Sequence, residues 1–222
     1  MTGLNLAKDA LIEVAVVVTD SELRPLDAGI DLVIAPTPGT VEQMDDVVRT
    51  MHTSSGLLTE LDDGLTMAEA HERVLEYVKQ WVPEPRRAPL AGNSVGTDRS
   101  FLARDMPDLV EHLHYRIIDV SSIKELARRW YPRAYFQSPA KNGGHRALAD
   151  ILESIDELRY YRTVLFPSGD GPDSKAAKKA AAEVSATSSA LVVAQLAKEA
   201  AAGAGGPQTR EASAAQETAE RP

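Results

Sequence analysis

Ala10-Leu11-Ile12-Glu13-Val14-Ala15-Val16-Val17-Val18-Thr19 is β-rich and apolar at almost every position. Such a run predicts a strand buried on both faces, because a half-exposed strand would alternate apolar and polar residues. Glu22 to Asp27 is turn-like, and Gly29 to Ala35 alternates as a second strand. Thr40 to His52 reads as a helix. Thr66 opens another through Glu69, Val74, Leu75, Val78 and Trp81, with Thr66 and Glu69 spaced as a capping box, and Pro83 and Pro85 end it. Next come a short strand at Ala88 to Gly92, a helix at Asp98 to Met106 and a strand at Tyr115 to Val120. A helix from Ser122 to Trp130 is stopped by Pro132. A loop to Gly144 precedes a long final helix, from about His145 to Leu165. Two early strands, then alternating strand and helix, fit an α/β fold: a mixed sheet flanked by helices.

Composition changes after Phe166. Pro167-Ser168-Gly169-Asp170-Gly171-Pro172 breaks structure, and the rest of the chain to Pro222 is mostly Ala, Ser, Glu, Lys and Gly. One domain is therefore expected at 1–166 and a disordered tail at 167–222. Ala176 to Ala202 could form a transient helix, with Leu191, Val192, Val193 and Leu196 as a thin stripe; the sharper reading is a helix that docks on a partner.

The 222 residues carry no cysteine, which excludes disulfides and thiolate metal sites and suits a cytoplasmic location. No apolar run approaches a membrane span of about 18 residues. The formal net charge of -9 disfavours a grip on long nucleic acid, which rests on many Lys and Arg contacts to phosphate. It is compatible with a very short nucleic acid and with carboxylates that hold divalent metal.

Two segments carry the chemistry. In His145-Arg146-Ala147-Leu148-Ala149-Asp150 a histidine precedes an aspartate by five positions. On one helix the pair would not share a face. With His145 on the entering loop, given freedom by Lys141-Asn142-Gly143-Gly144, it can swing over the place that Asp150 faces. The bland reading is an ordinary helix start with an exposed histidine. In Gly92-Asn93-Ser94-Val95-Gly96-Thr97-Asp98, Asp98 follows a strand and a turn; alone it could be a helix cap or first-turn acid, and Ser94 a turn residue. Tyr115, Arg116 and Ser121 could clamp a phosphate or be polar groups at a strand edge. Lys124 to Trp130 reads as a solvated amphipathic helix.

Met1-Thr2-Gly3-Leu4, Met51-His52-Thr53-Ser54-Ser55-Gly56-Leu57, Gly92-Asn93-Ser94 with Asp98-Arg99, His114-Tyr115-Arg116, Asp119-Val120-Ser121-Ser122, Lys124 to Trp130, and His145 to Ile151 with Tyr160-Tyr161-Arg162 occur in this order. Together they closely resemble the DEDDh family of 3′-to-5′ exonucleases, in its oligoribonuclease branch, over essentially Met1 to Phe166. The resemblance implies a ribonuclease-H-like fold, a homodimer, two Mg²⁺ or Mn²⁺ ions, and cleavage of very short RNA down to dinucleotides. It implies Asp98 and Asp150 as metal ligands and His145 as general base. Leu4 would pack against a base, Ser94, Arg116 and Ser121 would hold the terminal phosphate, and Tyr115 would reach across from the partner subunit.

In that family an Asp-x-Glu strand directly precedes Met-Thr-Gly-Leu, and it is the middle strand of the sheet. The resemblance leads to the expectation that Met1 is internal to a longer protein, that this strand is missing, and that the chain as given is inactive or nearly so. Glu13, the nearest acid, lies on the following strand and is not expected to take its place. Loss of a central strand leaves unpaired backbone groups at about 1–3 kcal/mol each, against a domain stability of about 5–15 kcal/mol. At Met44-Asp45-Asp46-Val47, relatives often carry an aromatic residue that stacks on a base, where Val47 offers weaker contact. The alternative is a noncatalytic nucleotide-binding or dimerisation protein. A DNA-directed proofreading relative is disfavoured by the Ser94, Arg116 and Ser121 cap.

Overall fold

The computed structural model describes residues 1–141 and 144–203, with the backbone alone at 200–203. Contacts divide the chain into Met1–Phe166 and Pro167–Pro222.

In the first unit, β1 (Glu13–Val16) pairs antiparallel with β2 (Ile30–Val33), Glu13 lying opposite Val33. Asp45 starts α1 (Asp46–Ser54) by accepting from the Val48 amide, so the helix begins later than the expected Thr40. Two single turns, at Leu57–Thr59 and Leu61–Asp63, lead to α2 (Met67–Trp81), which opens on the predicted Thr66/Glu69 capping box. β3 (Pro89–Gly92) is followed by α3 (Val95–Asp105) and α4 (Pro107–His112), then by β4 (His114–Asp119), which pairs parallel with β3. Asp119 caps α5 (Val120–Trp130). A short α6 (Pro132–Phe136) occupies part of the expected loop, with Pro132 at its first position, where its missing N–H costs nothing. α7 (Ala147–Leu165) closes the unit.

The architecture is α/β, with small sheets flanked by helices. The sheet differs from the expectation: the strands form two separate two-stranded pairs, β1–β2 and β3–β4, rather than one mixed sheet. β1 is also shorter than Ala10 to Thr19. Leu11 to Val14 are buried as predicted, but Ala15 to Val18 are half-exposed, because one ladder partner covers only one edge of the strand.

The larger core gathers Leu11, Val14 and Ile34 with Ala70, Val74, Tyr77 and Val78 of α2 and Leu102, Met106 and Leu109 of α3 and α4. A smaller one joins Ile12, Met44, Leu57 and Leu61. Leu11 and Ile12 thus enter different clusters, which is why the start of this segment tolerates no polar residue. α7 touches β1, β2 and β3, and so lies across both sheets.

The second unit holds α8 (Ser174–Gly203). Its described side chains are exposed. Alanine drives the helix by propensity. Contrary to the expectation that no run reaches a membrane span, Ser174–Glu199 is long and apolar enough by length and composition to cross one. That hydropathy comes mostly from single methyl groups. The remainder of the expected tail, 204–222, lies outside the described residues.

Candidate active site

The first element of the site is the turn at Met1 to Asp9. Thr2 is buried, donates its amide to Ala10 O and accepts the Ala10 amide on Oγ1, so the turn is stitched to the start of β1. A Cβ on Gly3 would stand 2.4 Å from the Asp9 carboxylate, so a larger residue there would displace Asp9. Asp9 in turn accepts from the Asn5 amide. The tight turn leaves Leu4 78% exposed, an apolar side chain held in solvent. Val47, at the start of α1, is equally exposed.

The second element is where β3 ends beside the start of α5. Ser94 takes a left-handed conformation (φ 51°) and its amide is held by two acceptors, Asp119 Oδ1 at 2.9 Å and Ser121 Oγ at 3.0 Å. The two serine hydroxyls lie 3.2 Å apart. Asp119 also accepts from the Ser121 amide and the Ser122 hydroxyl, so one carboxylate orders both turns. The sharp bend at Ser94 places Asp98 in the first turn of α3. On β4, Tyr115 is 69% exposed and stacks on His114, with the Arg116 guanidinium 5.3 Å from its ring centre.

The third element is the start of α7. His145 precedes the helix in a left-handed conformation (φ 50°), and Asp150 sits in its first turn. The loop reading of His145 therefore holds, although Asn142 and Gly143, which were expected to give it freedom, lie outside the described residues. Arg146 anchors the segment. Its Nε donates to Glu13 Oε1 at 2.6 Å, and its two terminal nitrogens donate to Glu60 at 2.8 and 2.9 Å. Glu13 Oε2 accepts the Ala147 amide at 3.0 Å. Both oxygens of Glu13 are thus committed, one to the arginine and one to the first amide of α7.

Electrostatics draws these elements together. Burial pushes the Asp98 carboxyl up, and the Met1 ammonium beside it partly offsets this. Burial likewise raises Asp150, with Glu153 adding and His145 and Lys141 opposing. The Met1 ammonium is lowered by burial and feels Glu13, Asp98 and Asp9. His52, buried, bonds Met1 O through Nε2 at 2.9 Å, while its Nδ1 finds no partner. The Met1 ammonium thus feels Glu13 and Asp98, while Asp150 feels His145 and Glu13.

Desolvated carboxylates are hard oxygen donors of the kind that suit Mg²⁺ or Mn²⁺, and a divalent cation would relieve their burial cost. Asp98 and Asp150 fit that chemistry as part of a site. Among the described residues, no three His, Asp or Glu side chains converge as a metal-holding group.

Of the expected site residues, Ser94 meets Ser121, and His145 lies near Asp150. Leu4 and Tyr115 stand in solvent. Sequence reasoning missed Arg146 and the roles of Glu13 and Glu60. Arg146 could have been noticed as a charge inside the His-to-Asp motif, but nothing local names its distant acids.

Residues 1–158 match the RNase T family, described as exonucleases, which places the α/β domain in that class. The chain is 66% identical to the oligoribonuclease of Streptomyces griseus over 186 residues, 84% of this chain and 92% of that one. Identity is 58% to the oligoribonuclease of Cutibacterium acnes, over 82% of this chain and 91% of that one. It is 52% to the oligoribonuclease of Mycobacterium leprae, over 84% and 87%. The chain belongs to the oligoribonuclease family of exonucleases.

Proposed function

We infer that this protein is a 3′-to-5′ exoribonuclease that degrades very short RNA, from dinucleotides upward, to mononucleotides. The observation that supports the site assignment is that the turn at Ser94, which leads into α3, bonds Ser121 at the start of α5, while the adjacent Asn93 bonds Ser154 on the helix that carries Asp150.

In this reading Asp98 and Asp150 would hold Mg²⁺ or Mn²⁺, two ions in a complete site, and such ions would supply Lewis-acid stabilisation of the attacking water and the scissile phosphate. His145 accepts the proton of the attacking water. Its position outside the helix lets the ring approach without tilting α7, and Arg146 keeps that helix start in place. Leu4 packs on a base, with Val47 a weaker contact beside it. Arg116 supplies charge, and Ser94 and Ser121 supply hydroxyls, to the terminal phosphate. Tyr115, exposed on β4, completes the site of a second subunit in a homodimer. A capped phosphate makes short RNA the preferred substrate and removes the need for a long basic groove, in keeping with the charge of -9.

Two carboxylates are half of what two ions need. We propose that a strand bearing Asp-x-Glu, seated between β1 and β3, supplies the rest and joins the two sheets into a ribonuclease-H-like one. The separation of β1–β2 from β3–β4 supports this. Dinucleotide hydrolysis with Mg²⁺ tests the whole reading. The chain with such a strand joined ahead of Met1 cleaves, the chain as given cleaves weakly or not at all, and His145→Ala abolishes cleavage in the longer form. Equal, robust cleavage by both forms refutes the strand proposal. That only two carboxylates of the four are present among the described residues favours a second reading, noncatalytic nucleotide binding. Binding without turnover in the longer form selects it.

A further inference from the structure

Glu157 is the most deeply buried acid of the described chain that the proposed chemistry does not use. It lies on α7 at 2% exposure. All its neighbours are donors: Lys124 Nζ at 2.9 Å, Lys141 Nζ at 3.0 Å and Asn93 Nδ2 at 3.1 Å. Two cations against one carboxylate keep it ionised in spite of burial.

The third donor carries the consequence. Asn93 also gives Nδ2 to Ser154 Oγ at 2.8 Å, while the Ser154 proton goes to Asp150 O at 2.7 Å. A carboxylate can only accept, so the Asn93 amide has one orientation: nitrogen toward Glu157, carbonyl oxygen outward. That oxygen accepts from Ser121 Oγ at 3.1 Å. Ser121 Oγ in turn receives the Ser94 amide at 3.0 Å and lies 3.2 Å from the Ser94 hydroxyl. A continuous chain runs from the buried carboxylate through Asn93 to both serines.

We propose that Glu157 and Asn93 are positioning residues for recognition of a terminal phosphate. Glu157 fixes the amide of Asn93, Asn93 fixes the rotamer of Ser121, and Ser121 holds the strained turn of Ser94. The same chain ends on the backbone of Asp150, so the phosphate contacts and the metal-ligand helix keep a constant separation. This rests on the reading of Ser94 and Ser121 as phosphate contacts.

The test measures binding, so no turnover is needed. The affinity of the full chain for a 5′-phosphorylated diribonucleotide is compared with that for the same dinucleotide bearing a 5′-hydroxyl. Isothermal titration calorimetry without divalent metal gives both. Glu157→Gln must turn an amide N–H toward Lys124, Lys141 or Asn93, all donors, and so releases the amide of Asn93. Asn93→Leu removes the link at similar volume without leaving a charge unpaired, and serves if the first variant does not fold. In each, the preference for the phosphorylated ligand falls about ten-fold, the scale of one hydrogen bond to a charged group, while the hydroxyl ligand binds as before. General loosening weakens both ligands alike and leaves the preference intact. A wild-type preference that survives in the folded variants overturns the positioning role alone. No preference in the wild-type chain overturns this role together with the reading beneath it.

Discussion

Arg146 joins three parts of the chain that are far apart in sequence: the loop of His145, β1 through Glu13 and the turn at Glu60. Its guanidinium is raised by the hydrogen bonds to Glu60 and Glu13. Arg146→Met leaves Glu13 buried and unpaired. The expected cost is about 2–4 kcal/mol in urea denaturation, toward the low side for a broken buried pair because Arg146 keeps some solvent. Glu157 has a distinct pH signature. Burial opposes its ionisation, but Lys124 and Lys141 outweigh that and hold the carboxyl below its ordinary 4.5. A depressed folded pKa stabilises above the unfolded value and loses that contribution as pH falls through the folded one. Stability of the wild type should therefore drop below pH 4.5, with a shallower slope in Glu157→Gln. Asp98 has the opposite sign: burial raises it above 3.8, so stability falls as pH rises from the unfolded value and the full cost is in place above the folded one. Metal-free Asp98→Asn is expected to melt about 2–4 °C higher at neutral pH, for about 1 kcal/mol gained. Added Mg²⁺ should raise the melting temperature of the wild type and not that of the variant.

Elements differ in how openly their residues announce them. α2 was readable to its first residue, because a capping box is local chemistry between positions three apart. Thr66→Ala removes that cap and is expected to cost about 1 kcal/mol in thermal melts. α1 was placed too early, since the helical periodicity from Thr40 does not reveal that Asp45 closes the first turn on Val48. α6 was missed altogether. Five residues are too few for periodicity, and Pro132 reads equally as a stop for α5 and a start for the next helix. The α7 boundary matters most for chemistry. The sequence left His145 either at the helix start or on the entering loop, and its left-handed backbone ahead of an extended Arg146 places it outside.

At the scale of the molecule, Met1–Phe166 carries every candidate site residue. Removing everything after Phe166 is expected to leave dinucleotide affinity unchanged, checked by the same calorimetry. The acidic charge and the order of the family's motifs were legible along the chain, because each is a matter of composition or short spacing. So was the α/β class, which follows from hydrophobic periodicity. The division of the strands into two pairs was not, since strand pairing is a long-range choice that the residues of one strand do not contain. Nor was the support of the site. Glu13, Glu60 and Arg146 are separated by as many as 133 positions, and Asn93 reaches Glu157 across 64. Such partners are chosen by which buried donors and acceptors the packed core leaves facing each other, and that is settled only when the chain has folded.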